Sequence, residues 1–226
     1  MSNTHQAPRH GTTCQLLLPT MSTLETHHTI TDIVFDVGRV LIDFSYDDFF
    51  AWLMSQGADI TGVDDFVCKT ELHAYERGEI TDAQFLARLN ALLHKPITSS
   101  ELITNWLDLF TPIDDMLQLA QQLKTKYGVY LLSNTSALHW QHIVPLYQLD
   151  EISHGLLASF EVGAMKPEPA IFRAAEQKFD LNAKTTVFID DIQDNSDGAI
   201  KYGWQAIHHK NSRDTHQQLR KLGVIL

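Results

Sequence analysis

The chain has 226 residues, 44% hydrophobic and 20% charged, the balance of an ordinary globular protein rather than a disordered one. Its 17 basic against 28 acidic side chains leave a formal charge of −11, which argues against a nucleic-acid partner. No apolar run approaches the ~18 residues of a membrane span. Two cysteines, Cys14 and Cys68, supply neither a disulfide framework nor a zinc cluster. The expectation is a cytoplasmic protein that binds neither nucleic acid nor membrane.

Residues 1–28 mix Ser, Thr, His, Gln and Pro without periodicity and include a second methionine, Met21, so they read as a disordered extension. Ile33-Val34-Phe35 is short, apolar and β-branched, as a strand buried on both faces should be, and it ends at Asp36. From Tyr46 to about Asp115 the pattern is helical and no strand is expected. Phe49, Phe50, Trp52 and Leu53 form one apolar stripe, Phe85 to Leu93 a second with Thr81 as N-cap, and Leu102, Trp106, Leu109 and Phe110 a third.

Strands and helices then alternate. Helix is predicted over Met116–Lys126, Leu138–Leu146, Ala170–Phe179 opened by Pro169, and Asn195–Tyr202 stopped by Gly203. Strands are predicted at Val129–Leu132, Leu156–Ala158, Thr186–Ile189 and Gln205–Ile207. This order argues for an α/β fold, a doubly wound parallel sheet with a helical insert. The predicted division is a core of residues 29–44 and 116–226 and a helical cap of residues 45–115.

Three of these strands end in polar residues: Asp36, Ser133-Asn134 and Asp190-Asp191. In an open parallel sheet, ligands bind outside the carboxyl ends of the strands, so these residues belong to one crevice. Lys166, ahead of Pro167, joins them as a candidate.

With these residues in order, the sequence resembles the haloacid dehalogenase (HAD) superfamily of phosphotransferases, whose core is Rossmann-like. The matching segments are Phe35-Asp36-Val37-Gly38-Arg39-Val40-Leu41, Leu132-Ser133-Asn134-Thr135, Lys166 within Gly163 to Glu168, and Asp190-Asp191 with Asn195. The insert is similar to a small C1-type cap. Asp-x-Gly-x-Val and Glu76-Arg77-Gly78-Glu79-Ile80-Thr81 resemble a bacterial sugar-phosphatase branch that includes α-D-glucose-1-phosphate phosphatase.

The resemblance implies a Mg²⁺-dependent phosphatase of a small phosphorylated metabolite, such as glucose 1-phosphate, working as a monomer or homodimer. Asp36 would be the nucleophile that becomes an aspartyl phosphate. Asp36, the Gly38 carbonyl oxygen and Asp191, with Asp190 nearby, would hold Mg²⁺. Lys166 would neutralise charge, Ser133 and Asn134 would bind phosphate, and Asn195 would support the metal site. On the cap, His73, Glu76 and Arg77 are candidate substrate contacts, beside Tyr46 and Tyr75.

Gly38 departs from the family pattern, which places an aspartate there as general acid and base. Such catalysis is worth about 10²–10⁴-fold, so its loss weakens a phosphatase without abolishing it. Asp43, His73 or Glu76 are candidate replacements. Two other readings stand beside the phosphatase: a catalytically impaired ligand- or partner-binding protein, and a 2-haloacid dehalogenase, which the acidic pair Asp190-Asp191 disfavours.

Overall fold

The structure is a computed structural model that describes Met1, Ser2 and residues 29–226. The reading of residues 1–28 as an extension otherwise falls outside the described residues. At the centre is a five-stranded parallel sheet of β1 (Asp32–Phe35), β4 (Gly128–Ser133), β5 (Gly155–Ala158), β6 (Thr186–Asp190) and β7 (Gln205–His208), in the order β5-β4-β1-β6-β7. Alternate side chains enter opposite faces, and each face is covered. Ile33, Phe35, Val129, Leu131, Val187 and Ile189 pack against α6 (Asp114–Lys124), α7 (Ala137–Leu146) and α11 (Ser212–Lys221). Val34, Leu132, Leu157 and Phe188 pack on the other face against α9 (Pro169–Phe179) and α10 (Gln193–Tyr202). Burial on both faces explains why these strands read as continuous apolar runs.

The register sets up the polar end of the sheet. Phe35 lies opposite Leu131 on one side and Ile189 on the other. Asp36, which donates its N–H to the Ile189 carbonyl (2.8 Å), therefore emerges beside Asp190. Between β1 and the insert runs β2 (Ile42–Phe44), and it pairs antiparallel with β3 (Phe110–Pro112). The expectation of no strand between Tyr46 and Asp115 is corrected by β3, and Phe110 belongs to that ribbon rather than to a helical stripe. Ile42 opposite Pro112 and Phe44 opposite Phe110 make this ribbon the stem through which the chain leaves and re-enters the sheet region.

Beyond the stem, α1 (Asp47–Ser55), α2 (Val63–Thr70), α3 (Leu72–Glu76), α4 (Asp82–Ala91) and α5 (Ser99–Leu107) surround a cluster of their own. Trp106, fully buried, is its centre, with Phe49 at 5.0 Å and Phe85 at 5.1 Å between ring centroids. Thr81 caps α4 as expected, closing a reciprocal capping box with Gln84. α11, which the sequence reading did not assign, buries only Thr215 and Leu219. No helix among the described residues is long and apolar enough to cross a membrane.

Candidate active site

Lys166 organises the polar end of the sheet. Its Nζ lies 2.7 Å from Asp36 Oδ1 and 2.7 Å from Asp190 Oδ2, with its side chain almost wholly buried. Its backbone is held by Asn134, whose Oδ1 accepts from Lys166 N–H (2.9 Å) and whose Nδ2 donates to Lys166 O (3.0 Å). Asn134 thus fixes the lysine as well as lining the crevice. Asn195 donates from Nδ2 to both oxygens of Asp190 (3.1 and 3.2 Å), and Ile192 N–H donates to Oδ1 (2.8 Å). Asn195 lies in the first turn of α10, whose N-cap is Ile192.

Asp36, Asp190 and Asp191 bring ligand oxygens within 4.8 Å of one another. Burial pushes the Asp36 carboxyl up; Lys166 opposes the rise and the two other aspartates add to it. Asp191 is raised as well, by burial first and then by Asp190. For Lys166, burial works against the charge, but Asp36 and Asp190 outweigh it and hold the ammonium protonated. Three carboxylates therefore face one ammonium. An oxygen-seeking divalent cation matches both the donor set and the charge deficit.

Two adjoining cavities open here. The first, of about 390 Å³, is lined by Asp36, Arg39, Lys166, Asp191 and Asn195. The second, of about 60 Å³, runs under the helical insert between Glu76, Thr135, His139, Phe110 and Ile143. Gly38, Phe44, Tyr46, Ser133 and Asn134 line both. A Cβ on Gly38 would meet Phe44 Cε1 at 3.0 Å, so the Phe44 ring closes the space a side chain at 38 would enter.

The candidates on the insert divide. Glu76 and Tyr46 line the second cavity. His73 is corrected to the surface: its side chain is 69% exposed, with Nδ1 3.7 Å from Glu76 Oε2. Arg77 is corrected from substrate contact to tether, because its guanidinium forks onto the Glu168 carboxylate, Nη1 to Oε2 at 3.0 Å. Tyr75 is buried, stacked on Phe85 at 4.2 Å, with its OH donating to Asp82 Oδ1 (2.6 Å). Asp43 points to solvent on β2, away from both cavities.

Sequence reasoning missed His139, Thr135, Phe44 and Phe110 as lining residues. His139 Nε2 is 3.0 Å from the Trp106 carbonyl and its ring stacks on Trp106 at 4.4 Å. Burial drives its pKa down to about 4, so the ring is neutral near pH 7 and Nε2 carries the proton. Nothing in the sequence marks this histidine, because its partner is a backbone carbonyl on a distant helix.

A family model described as haloacid dehalogenase-like hydrolase matches residues 25–203. The chain is 28% identical over 200 residues to D-ribitol-5-phosphate phosphatase of Bacteroides thetaiotaomicron, covering 84% of this chain and 97% of that one. It is 23% identical to the sesquiterpene phosphatase of Aspergillus oryzae, over 86% of this chain and 97% of the relative. Among solved structures, it resembles a wild-type HAD family enzyme of B. thetaiotaomicron in complex with magnesium and inorganic phosphate. That match has a TM-score of 0.73 at 26% identity and covers 81% of this chain and 96% of that one.

Proposed function

The chain belongs to the haloacid dehalogenase-like hydrolases, and from that premise we propose that it is a Mg²⁺-dependent phosphatase of a small phosphorylated metabolite. The substrate class is a sugar or sugar-alcohol phosphate, glucose 1-phosphate among the candidates, in keeping with the relative named for D-ribitol 5-phosphate. The observation that carries the reading is the convergence of Asp36, Lys166, Asp190 and Asp191 at one crevice.

Asp36 is the nucleophile. Its Oδ1 accepts from Val37 N–H (2.6 Å) and faces Lys166, which leaves Oδ2 for attack on phosphorus. The P–O bond to the leaving group breaks as the Asp36–phosphorus bond forms, giving an aspartyl phosphate. Water then attacks phosphorus, inorganic phosphate departs and Asp36 is restored. Lys166 balances negative charge on the phosphoryl oxygens, and Ser133, at the end of β4, binds one of them. Asp36, Asp191, the Gly38 carbonyl and Asp190 would hold Mg²⁺, which supplies further positive charge to those oxygens. Asn195 orients Asp190. Residues 45–115 serve as a cap over the leaving group.

Phosphate release from a panel of sugar phosphates, polyol phosphates and an aryl phosphate, with Mg²⁺ and with EDTA, tests this reading. Release that requires metal and disappears in Asp36→Asn supports it. A folded, Mg²⁺-binding chain that releases no phosphate from any of them favours the ligand-binding reading that Gly38 keeps open.

A further inference from the structure

We propose that Glu76, on the helical insert, is the proton carrier of the reaction, the group that protonates the leaving oxygen and later deprotonates the attacking water. The inference rests on the phosphatase reading above and names a catalytic residue within it.

A sugar alkoxide leaves phosphorus poorly unless it takes up a proton, and water attacks poorly unless it gives one up. Asp36 is committed to phosphorus, and Asp190 is held on both oxygens by Asn195, with Lys166 beside it. Gly38 has no side chain to offer. In an in-line displacement the leaving oxygen points away from the nucleophile. The smaller cavity would take that leaving group: it shares Gly38 and Ser133 with the phosphate crevice, and neither Asp36 nor Lys166 lines it.

Among the described residues lining that cavity, Glu76 is the one carboxylate. The other titratable groups there fit the task badly. The Tyr46 phenol is pushed above its ordinary value, by burial first and by Glu76 second, so it stays protonated. His139 stays neutral down to about pH 4, with Nε2 at the Trp106 carbonyl.

Glu76 is also held in place. Ser159 Oγ donates to its backbone carbonyl (2.5 Å), and the next residue, Arg77, is forked onto Glu168. Ser159 directly follows β5 and Glu168 is two residues past Lys166, so the end of α3 is tied to segments that border the crevice. The side chain keeps 17% of its surface accessible, and His73 Nδ1 lies 3.7 Å from its Oε2.

The proton balance closes over one turnover. Protonated Glu76 gives its proton to the leaving oxygen as the P–O bond breaks. The resulting carboxylate takes a proton from water as water oxygen bonds to phosphorus and the Asp36–phosphorus bond breaks. Glu76 is then protonated for the next substrate.

The test is Glu76→Gln, which keeps the size of the side chain and the backbone contact with Ser159. With a sugar phosphate, kcat should fall by about 10²–10⁴-fold. With p-nitrophenyl phosphate, whose leaving group needs no proton, the variant should release a burst of one nitrophenolate per chain and then turn over slowly. The burst counts folded, competent sites. Wild-type steady-state kcat in the variant, a change in KM alone, or loss of the burst together with turnover would each overturn the assignment. If the wild-type chain releases no phosphate at all, the phosphatase reading fails and this inference with it.

Discussion

Lys166 Nζ stands 2.7 Å from Asp190 Oδ2, with both side chains closed off from solvent. Asp36 Oδ1 is equally close on its other side. A buried ammonium between two carboxylates is costly to remove, because the carboxylates stay behind without compensation. Lys166→Met should therefore destabilise the metal-free protein by about 3–5 kcal/mol. Urea unfolding measures it, and Mg²⁺ should return part of the loss by binding only the folded state. A shift below about 1 kcal/mol would mean the ammonium is not integral to this cluster.

His139 gives the fold a limb of acid sensitivity. Its pKa is lowered to about 4 in the folded protein, by burial first, from an ordinary 6.5. As pH falls below 6.5 the unfolded chain takes up a proton that the folded chain refuses, so stability is lost between pH 6.5 and 4. The loss from this group is on the order of 3 kcal/mol. His139→Gln, which retains an N–H donor for the Trp106 carbonyl, should flatten that part of the stability profile. An unchanged profile would remove His139 as its cause.

Gly78 sits just beyond α3 with φ +71, and a Cβ there would come within 2.5 Å of the Phe160 carbonyl oxygen. Backbone opposes the new atom, so the contact has no flexible side to yield. Gly78→Ala should cost about 2 kcal/mol or more from strained φ and collision together. Thermal or urea denaturation would show it, and a neutral substitution would contradict the packing of α3 on Phe160.

Arg77 and Glu168 join the insert to the segment that carries Lys166. Their side chains are 28% and 40% exposed, so the ion pair itself is worth at most about 1 kcal/mol of stability. Its effect should lie in placement. Arg77→Met should lower kcat/KM by roughly ten- to hundredfold through displaced groups at the crevice, while unfolding shifts by less than about 1 kcal/mol. Equal losses in both would make Arg77 a stability contact only.

Much of this arrangement is legible in the residues, for physical reasons. Ile33-Val34-Phe35 and Thr186 to Ile189 are buried on both faces, so apolar runs mark them, and the polar residues that follow mark the sheet's open end. β3 escaped because Phe110-Thr111-Pro112 directly follows a helical stripe and its pairing with β2 is a tertiary fact. α11 escaped because a helix that buries only Thr215 and Leu219 leaves almost no apolar period. The roles of Asn134, Ser159 and Glu168 are set by partners far along the chain, at Lys166, Glu76 and Arg77, which no local pattern encodes. Arg77 and His73 share a segment with Glu76, yet only Glu76 reaches the cavity.

Quenching the protein in acid during turnover of a sugar phosphate with Mg²⁺, and weighing its peptides, tests whether Asp36 carries the phosphoryl group. A phosphoryl group on the peptide that contains Asp36, absent from Asp36→Asn, is the predicted result. Undiminished phosphate release by Asp36→Asn, with no phosphorylated peptide in the wild-type protein, would rule out Asp36 as the nucleophile.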